Sequence, residues 1–68
     1  MADIHERALQ ITTDAMKTND RFVVDFVAPR GYAAALEKSV RKMTRGVRNV
    51  CLSFRLDTNE ARLIIGPK

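Results

Sequence analysis

Four basic side chains recur along one predicted helix at a spacing that places them on a single face. Lys38, Arg41, Lys42 and Arg45 follow the i, i+3, i+4, i+7 pattern, and at about 100° per residue they fall within an arc of roughly 100°. Arg48 follows just past the predicted helix end, and no acidic residue occurs from position 38 to 48. Cations about one helical turn apart suit successive phosphates along a strand. We therefore expect these five side chains to contact nucleic acid or another anion.

A solvated helix face is the alternative interpretation of the same residues. Cations in the last turn of a helix complement the negative end of the helix dipole and need no ligand for that. This explanation fits the charges near the predicted helix end, but it accounts less well for the absence of alternating glutamates.

Three further arginines are auxiliary candidates for anion contact. If Thr58 and Asn59 form the centre of a hairpin turn, Arg55 and Arg62 lie directly opposite each other on the outer face of the sheet. Like charges in that position destabilise a sheet, and a bound anion would relieve the repulsion. The alternative is an ion pair between Asp25 and the adjacent arginine.

Arg30, the third auxiliary candidate, lies in the Pro29-Arg30-Gly31 turn before the basic helix. Backbone N–H groups at a helix start could hold one phosphate there together with the arginine. Proline and glycine in such a turn need no ligand, however, so the turn also has a purely structural explanation.

No catalytic, metal-binding or cofactor-binding pattern is present in the sequence. The only histidine, His5, lies in the first turn of the first predicted helix, and the only cysteine, Cys51, lies in a predicted strand. Phosphate-binding, dinucleotide-binding and zinc-binding motifs are absent. We expect a protein that is not an enzyme and that has neither a cofactor nor a metal.

These candidate residues lie on five predicted elements in the order α-β-α-β-β. Apolar spacing predicts helices over about 3–18 and 31–45, with Asp3 and Glu6 as a capping box. Alternating apolar residues predict a strand over about 21–28 and a hairpin over 50–56 and 61–65. In the hairpin, Leu56 would face Ala61, Phe54 would face Leu63, and Leu52 would face Ile65. The fold class is α+β: a single domain, 1–68, with a three-stranded sheet and both helices on one face.

The outer face of that sheet is more apolar than solvent exposure favours. It would carry Val23, Val27 and Ile64, with Cys51 beside them. A short chain also has little core of its own. We therefore expect this face to be an interface, either of a homodimer or with a different protein.

Charge and composition narrow the class of partner. The 68 residues carry a net charge of +4 and the isoelectric point is about 9.8. Residues 1–29 have a net charge of −2, and residues 30–68 a net charge of +6. We expect a small basic nucleic-acid-binding protein. The alternative is a protein-interaction module, such as a phage-like accessory regulator or inhibitor, that docks on an acidic surface of a larger protein complex.

The location is expected to be cytoplasmic. The acidic N-terminus resembles no targeting signal, no apolar run is long enough to span a membrane, and a lone cysteine suits a reducing compartment.

Overall fold

The computed structural model describes residues 3–67 and has the predicted α-β-α-β-β order. The elements are α1 (Ile4–Met16), β1 (Phe22–Val27), α2 (Arg30–Thr44), β2 (Val50–Phe54) and β3 (Glu60–Ile65). The predicted α+β class is confirmed. Residues 1, 2 and 68 of the predicted 1–68 domain lie outside the described part. Neither helix in the described chain is both long and apolar enough to cross a membrane.

The three strands form an antiparallel sheet with β3 in the centre, in the order β1-β3-β2. Exposure alternates along β1 and β3, so each strand buries one face and exposes the other. Both helices lie over the buried face, where Ala8 and Ile11 of α1 join Leu36 of α2 and Leu63 of β3 in one core cluster. Among residues 3–67, no helix or strand covers the outer face of the sheet.

The two helices pack over the sheet through fully buried residues. Ala8 and Ala15 of α1 have no exposed surface, and Leu36 and Val40 of α2 are equally buried. The apolar spacing that predicts each helix is thus the spacing of its buried side. The expected capping box does not form, because the Asp3 side chain accepts no hydrogen bond at the start of α1.

The predicted hairpin register was wrong by two residues. In the structure Phe54 pairs with Ala61 and Leu52 with Leu63. The turn occupies the four residues 56–59, and Asn59 adopts the left-handed conformation with φ of 58°. The N–H of Arg55 donates to the carbonyl of Glu60 at 2.9 Å and closes the loop. Leu56, expected in the core, is therefore in the turn and 72% exposed.

Candidate polyanion-binding face

Helix α2 separates its apolar and basic side chains onto opposite sides, as predicted. Its buried residues include Leu36 and Val40, which pack in the core cluster. The cations Lys38, Arg41 and Lys42 are exposed, and Arg45 is exposed at the C-cap. We call Lys38, Arg41, Lys42 and Arg45 the basic face.

Three of the four cations of the basic face have no protein partner within residues 3–67. No hydrogen bond or ion pair with described residues engages the side chain of Lys38, Lys42 or Arg45. Arg41 differs, because its Nη2 donates to the carbonyl of Val50 at 3.0 Å and lies 3.8 Å from the Glu37 carboxylate. The basic face thus combines one anchored guanidinium with three cations that are available to an external anion.

The C-terminus of α2 ends in an unusual backbone conformation at Arg45. Arg45 is the C-cap residue in the left-handed conformation, with φ of 53°, and Gly46 follows with φ of 76°. The N–H of Arg45 still donates to the carbonyl of Arg41 at 3.1 Å. The left-handed conformation costs a non-glycine residue roughly 1–2 kcal/mol, so glycine would be the more stable choice at position 45. Arginine at this position places a cation beside the negative end of the helix dipole.

Arg48 does not belong to the basic face, contrary to the sequence-based expectation. Arg48 is only 3% exposed. Its guanidinium donates to the carbonyls of Ala15 at 3.1 Å and Thr18 at 3.0 Å, and also to those of Asp20 and Gly66. These carbonyls belong to the end of α1, the loop after it and the residue that follows β3. The side chain therefore ties three chain segments together and is not accessible to a phosphate.

Arg55 and Arg62 do not face each other, because the register differs from the predicted one. Arg62 lies opposite Ser53 on one side and Asp25 on the other. Its Nε donates to Asp25 Oδ1 at 2.8 Å. This hydrogen bond, together with the nearby negative charge, raises the pKa of the Arg62 guanidinium. The ion pair with Asp25, which was the alternative interpretation, is the one observed, so no anion is needed at Arg62.

A shallow groove of about 560 Å³ crosses the outer face of the sheet beside this ion pair. Its lining includes both arginines, Arg55 and Arg62, and both nearby acids, Asp25 and Glu60. Two acids balance two bases, so the groove is electrically neutral and lacks the excess positive charge of the basic face.

The remaining candidates form no side-chain hydrogen bond or ion pair with the basic face among residues 3–67. Arg30 is the first residue of α2 and is exposed, and Pro29 is the N-cap. On the outer sheet face, Val23 is 41% exposed, Val27 is 72% exposed, and Ile64 is half-buried. The role of these residues as an interface remains a prediction.

His5 and Cys51 lie on opposite sides of the sheet. His5 belongs to α1, which covers the inner face, whereas Cys51 is exposed on the outer face opposite Ile64. A nucleophile–base pair between them would need the two side chains within hydrogen-bond reach. Among residues 3–67, no group of three or more His, Cys, Asp or Glu side chains could hold a metal ion.

Comparisons with known proteins point to no family: no family model, no curated protein and no solved structure matches the chain. The function must therefore be inferred from the fold and from the basic face.

Proposed function

We propose that this chain is a small non-catalytic protein of the cytoplasm that binds nucleic acid by holding its phosphates with the basic face of α2. The observation that supports the proposal most strongly is the set of three exposed cations, Lys38, Lys42 and Arg45, that no described residue neutralises. A solvated helix usually pairs such charges with acids at i+3 or i+4. Among the described residues, the only such pair on α2 is between Arg41 and Glu37.

The dimensions of the basic face suit a phosphate backbone. From Lys38 to Arg45 the helix rises about 10 Å at 1.5 Å per residue. A nucleic-acid strand carries one charge per roughly 3.4 Å of duplex axis, so several phosphates lie within that length. The contacts would be to backbone charges, which position a protein without reading sequence. We therefore expect binding with little sequence preference.

Charge reversal on the basic face tests this proposal. We expect Lys42→Glu combined with Arg45→Glu to lower affinity for DNA, RNA and heparin by at least about tenfold, because phosphate contacts dominate such binding. Both side chains are exposed, so circular dichroism should show an unchanged fold. Fluorescence anisotropy with labelled oligonucleotides measures the affinity.

A matched single substitution separates local contact from total charge. Lys42→Glu and Lys17→Glu change the net charge equally, but Lys17 is the C-cap residue of α1 and pairs with Asp14. We expect only Lys42→Glu to weaken binding strongly. Equal effects would indicate attraction by total charge, and wild-type affinity in the double variant would rule out the basic face.

An acidic protein surface is the second candidate partner. Val47, 56% exposed, lies in the loop directly after Arg45. An apolar residue beside arginines is more typical of protein interfaces than of phosphate contacts. Affinity capture from lysate with and without nuclease distinguishes the two functions. A stoichiometric protein that survives nuclease would favour a regulator or inhibitor of a larger complex.

A further inference from the structure

The edge strand β1 directs a row of backbone hydrogen-bonding groups away from the sheet. The N–H of Ala28 donates to the carbonyl of Asn59 at 3.0 Å, so Ala28 is in a hydrogen-bonded pair with the chain of β3. Bonded and non-bonded pairs alternate along an antiparallel ladder. The N–H and C=O groups of Val23, Asp25 and Val27 therefore point outward.

This edge lacks the protection that isolated sheet edges usually have. No backbone or side-chain group among residues 3–67 bonds the outward groups of β1. The strand has six residues, with no proline and no lysine. The opposite edge differs, because Arg41 of α2 covers the carbonyl of Val50 on β2. Exposed, unblocked edges are templates for pairing with another strand.

We propose that β1 pairs antiparallel with β1 of a second copy of this chain, about a two-fold axis at Val23. The new hydrogen bonds can join only outward-directed groups, so each outward-directed residue must lie opposite an outward-directed residue of the second copy. An axis at Val23, Val24 or Asp25 meets this condition and keeps most of the strand paired. An axis at Asp25 would oppose two carboxylates, which is unfavourable. An axis at Val24 would oppose Val23 to Asp25.

Charge complementarity selects the axis at Val23. In that register Arg21 lies opposite Asp25 of the second copy, and the two-fold symmetry forms this pair twice. Val23 lies opposite its own copy, which gives an apolar pair at the centre. Arg21 is exposed and has no partner among the described residues. Asp25 also remains exposed in its pair with Arg62, so its carboxylate can accept a second guanidinium.

This register would also bring apolar residues together on the inner face of the sheet. Phe22 would lie opposite Val24 of the second copy, and both residues are half-buried at the margin of the core. Their pairing would extend the apolar layer across the axis. The product is a six-stranded antiparallel sheet with all four helices on one side. The interface is an edge, whereas the sequence alone had suggested the outer sheet face.

Two proline substitutions test the edge and its register. Proline is tolerated on an edge strand where its missing N–H would face solvent. We expect Val23→Pro to weaken dimerisation by at least about tenfold, because it removes a hydrogen bond from each copy at the axis. Val27→Pro makes the same change on the same edge, but Val27 lies beyond the paired residues and should leave the dimer intact. Sedimentation velocity over a wide concentration range measures both, with circular dichroism as the check on folding.

A disulfide provides a readout that does not depend on how proline affects folding. Opposite bonded residues have Cα atoms about 5.5 Å apart, which a disulfide can span. In a Cys51→Ser background, Val23→Cys should oxidise to a covalent dimer, whereas Val27→Cys should not. A wild-type chain that is monomeric throughout, or Val23→Cys chains that do not cross-link, would overturn the proposal. Loss of the dimer with Ile64→Lys but not with Val23→Pro would also overturn it and place the interface on the outer face.

Discussion

Arg45 and Arg48 are the same residue type three positions apart, yet they have opposite environments. Arg45 is exposed at the end of α2, whereas Arg48 is buried and bonded to four backbone carbonyls. The left-handed residues Arg45 and Gly46 end the helix, so the helical spacing no longer applies to position 48. The carbonyls at the end of α1 need donors, and a buried guanidinium with five N–H groups supplies them.

Arg48→Ala should destabilise the protein by roughly 3 kcal/mol or more. The substitution removes all four hydrogen bonds from the buried guanidinium to backbone carbonyls, and hydrogen bonds to a charged group contribute more than neutral ones. Such a loss is large for a domain of this size. Urea denaturation followed by circular dichroism measures it.

Arg45→Ala is the matched control for that experiment, because it removes the same side chain from an exposed site. We expect it to change stability by no more than about 0.5 kcal/mol. Similar effects of the two substitutions would mean that water can replace the Arg48 guanidinium.

At the scale of elements, the periodicity of apolar residues predicted which side of each element faces the core. The inner faces of all three strands and the buried side of α2 were predicted correctly, because a period of 2 or 3.6 identifies a face directly. The hairpin register was not predicted correctly, since a shift of two residues keeps every side chain on the same face. The central place of β3 was not predictable, because alternation in a strand does not specify its neighbour.

The observed register makes opposite predictions for two leucines. Leu63 is fully buried in the central strand, so Leu63→Ala should lower the free energy of unfolding by about 2–5 kcal/mol. Leu56→Ala is the same chemical change in the exposed turn, and we expect an effect within about 0.5 kcal/mol. In the register expected from the sequence, both leucines would lie in the core. Thermal or urea unfolding of the two variants therefore distinguishes the registers, and a large loss in Leu56→Ala would contradict the structure.

At the scale of the whole molecule, the proposed dimer would combine two basic faces on one side of a continuous sheet. Helix α2 packs against β2, the strand farthest from β1 in each sheet. Five steps of about 4.8 Å separate the two β2 strands, a distance of about 24 Å. The two copies of α2 would lie near the two ends of the sheet, on the same surface, and a single long nucleic acid could contact both.

Salt dependence measures whether both basic faces bind together. Each neutralised phosphate of B-DNA contributes about −0.9 to the slope of log affinity against log salt. The three available cations of one basic face would give a slope of about −3, and two faces about twice that value. We expect the wild-type protein and Val27→Pro to show the steeper slope on a long duplex, and monomeric Val23→Pro the shallower one. Equal slopes for the dimer and the monomer would show that only one helix of the pair contacts the DNA, even though the two chains associate.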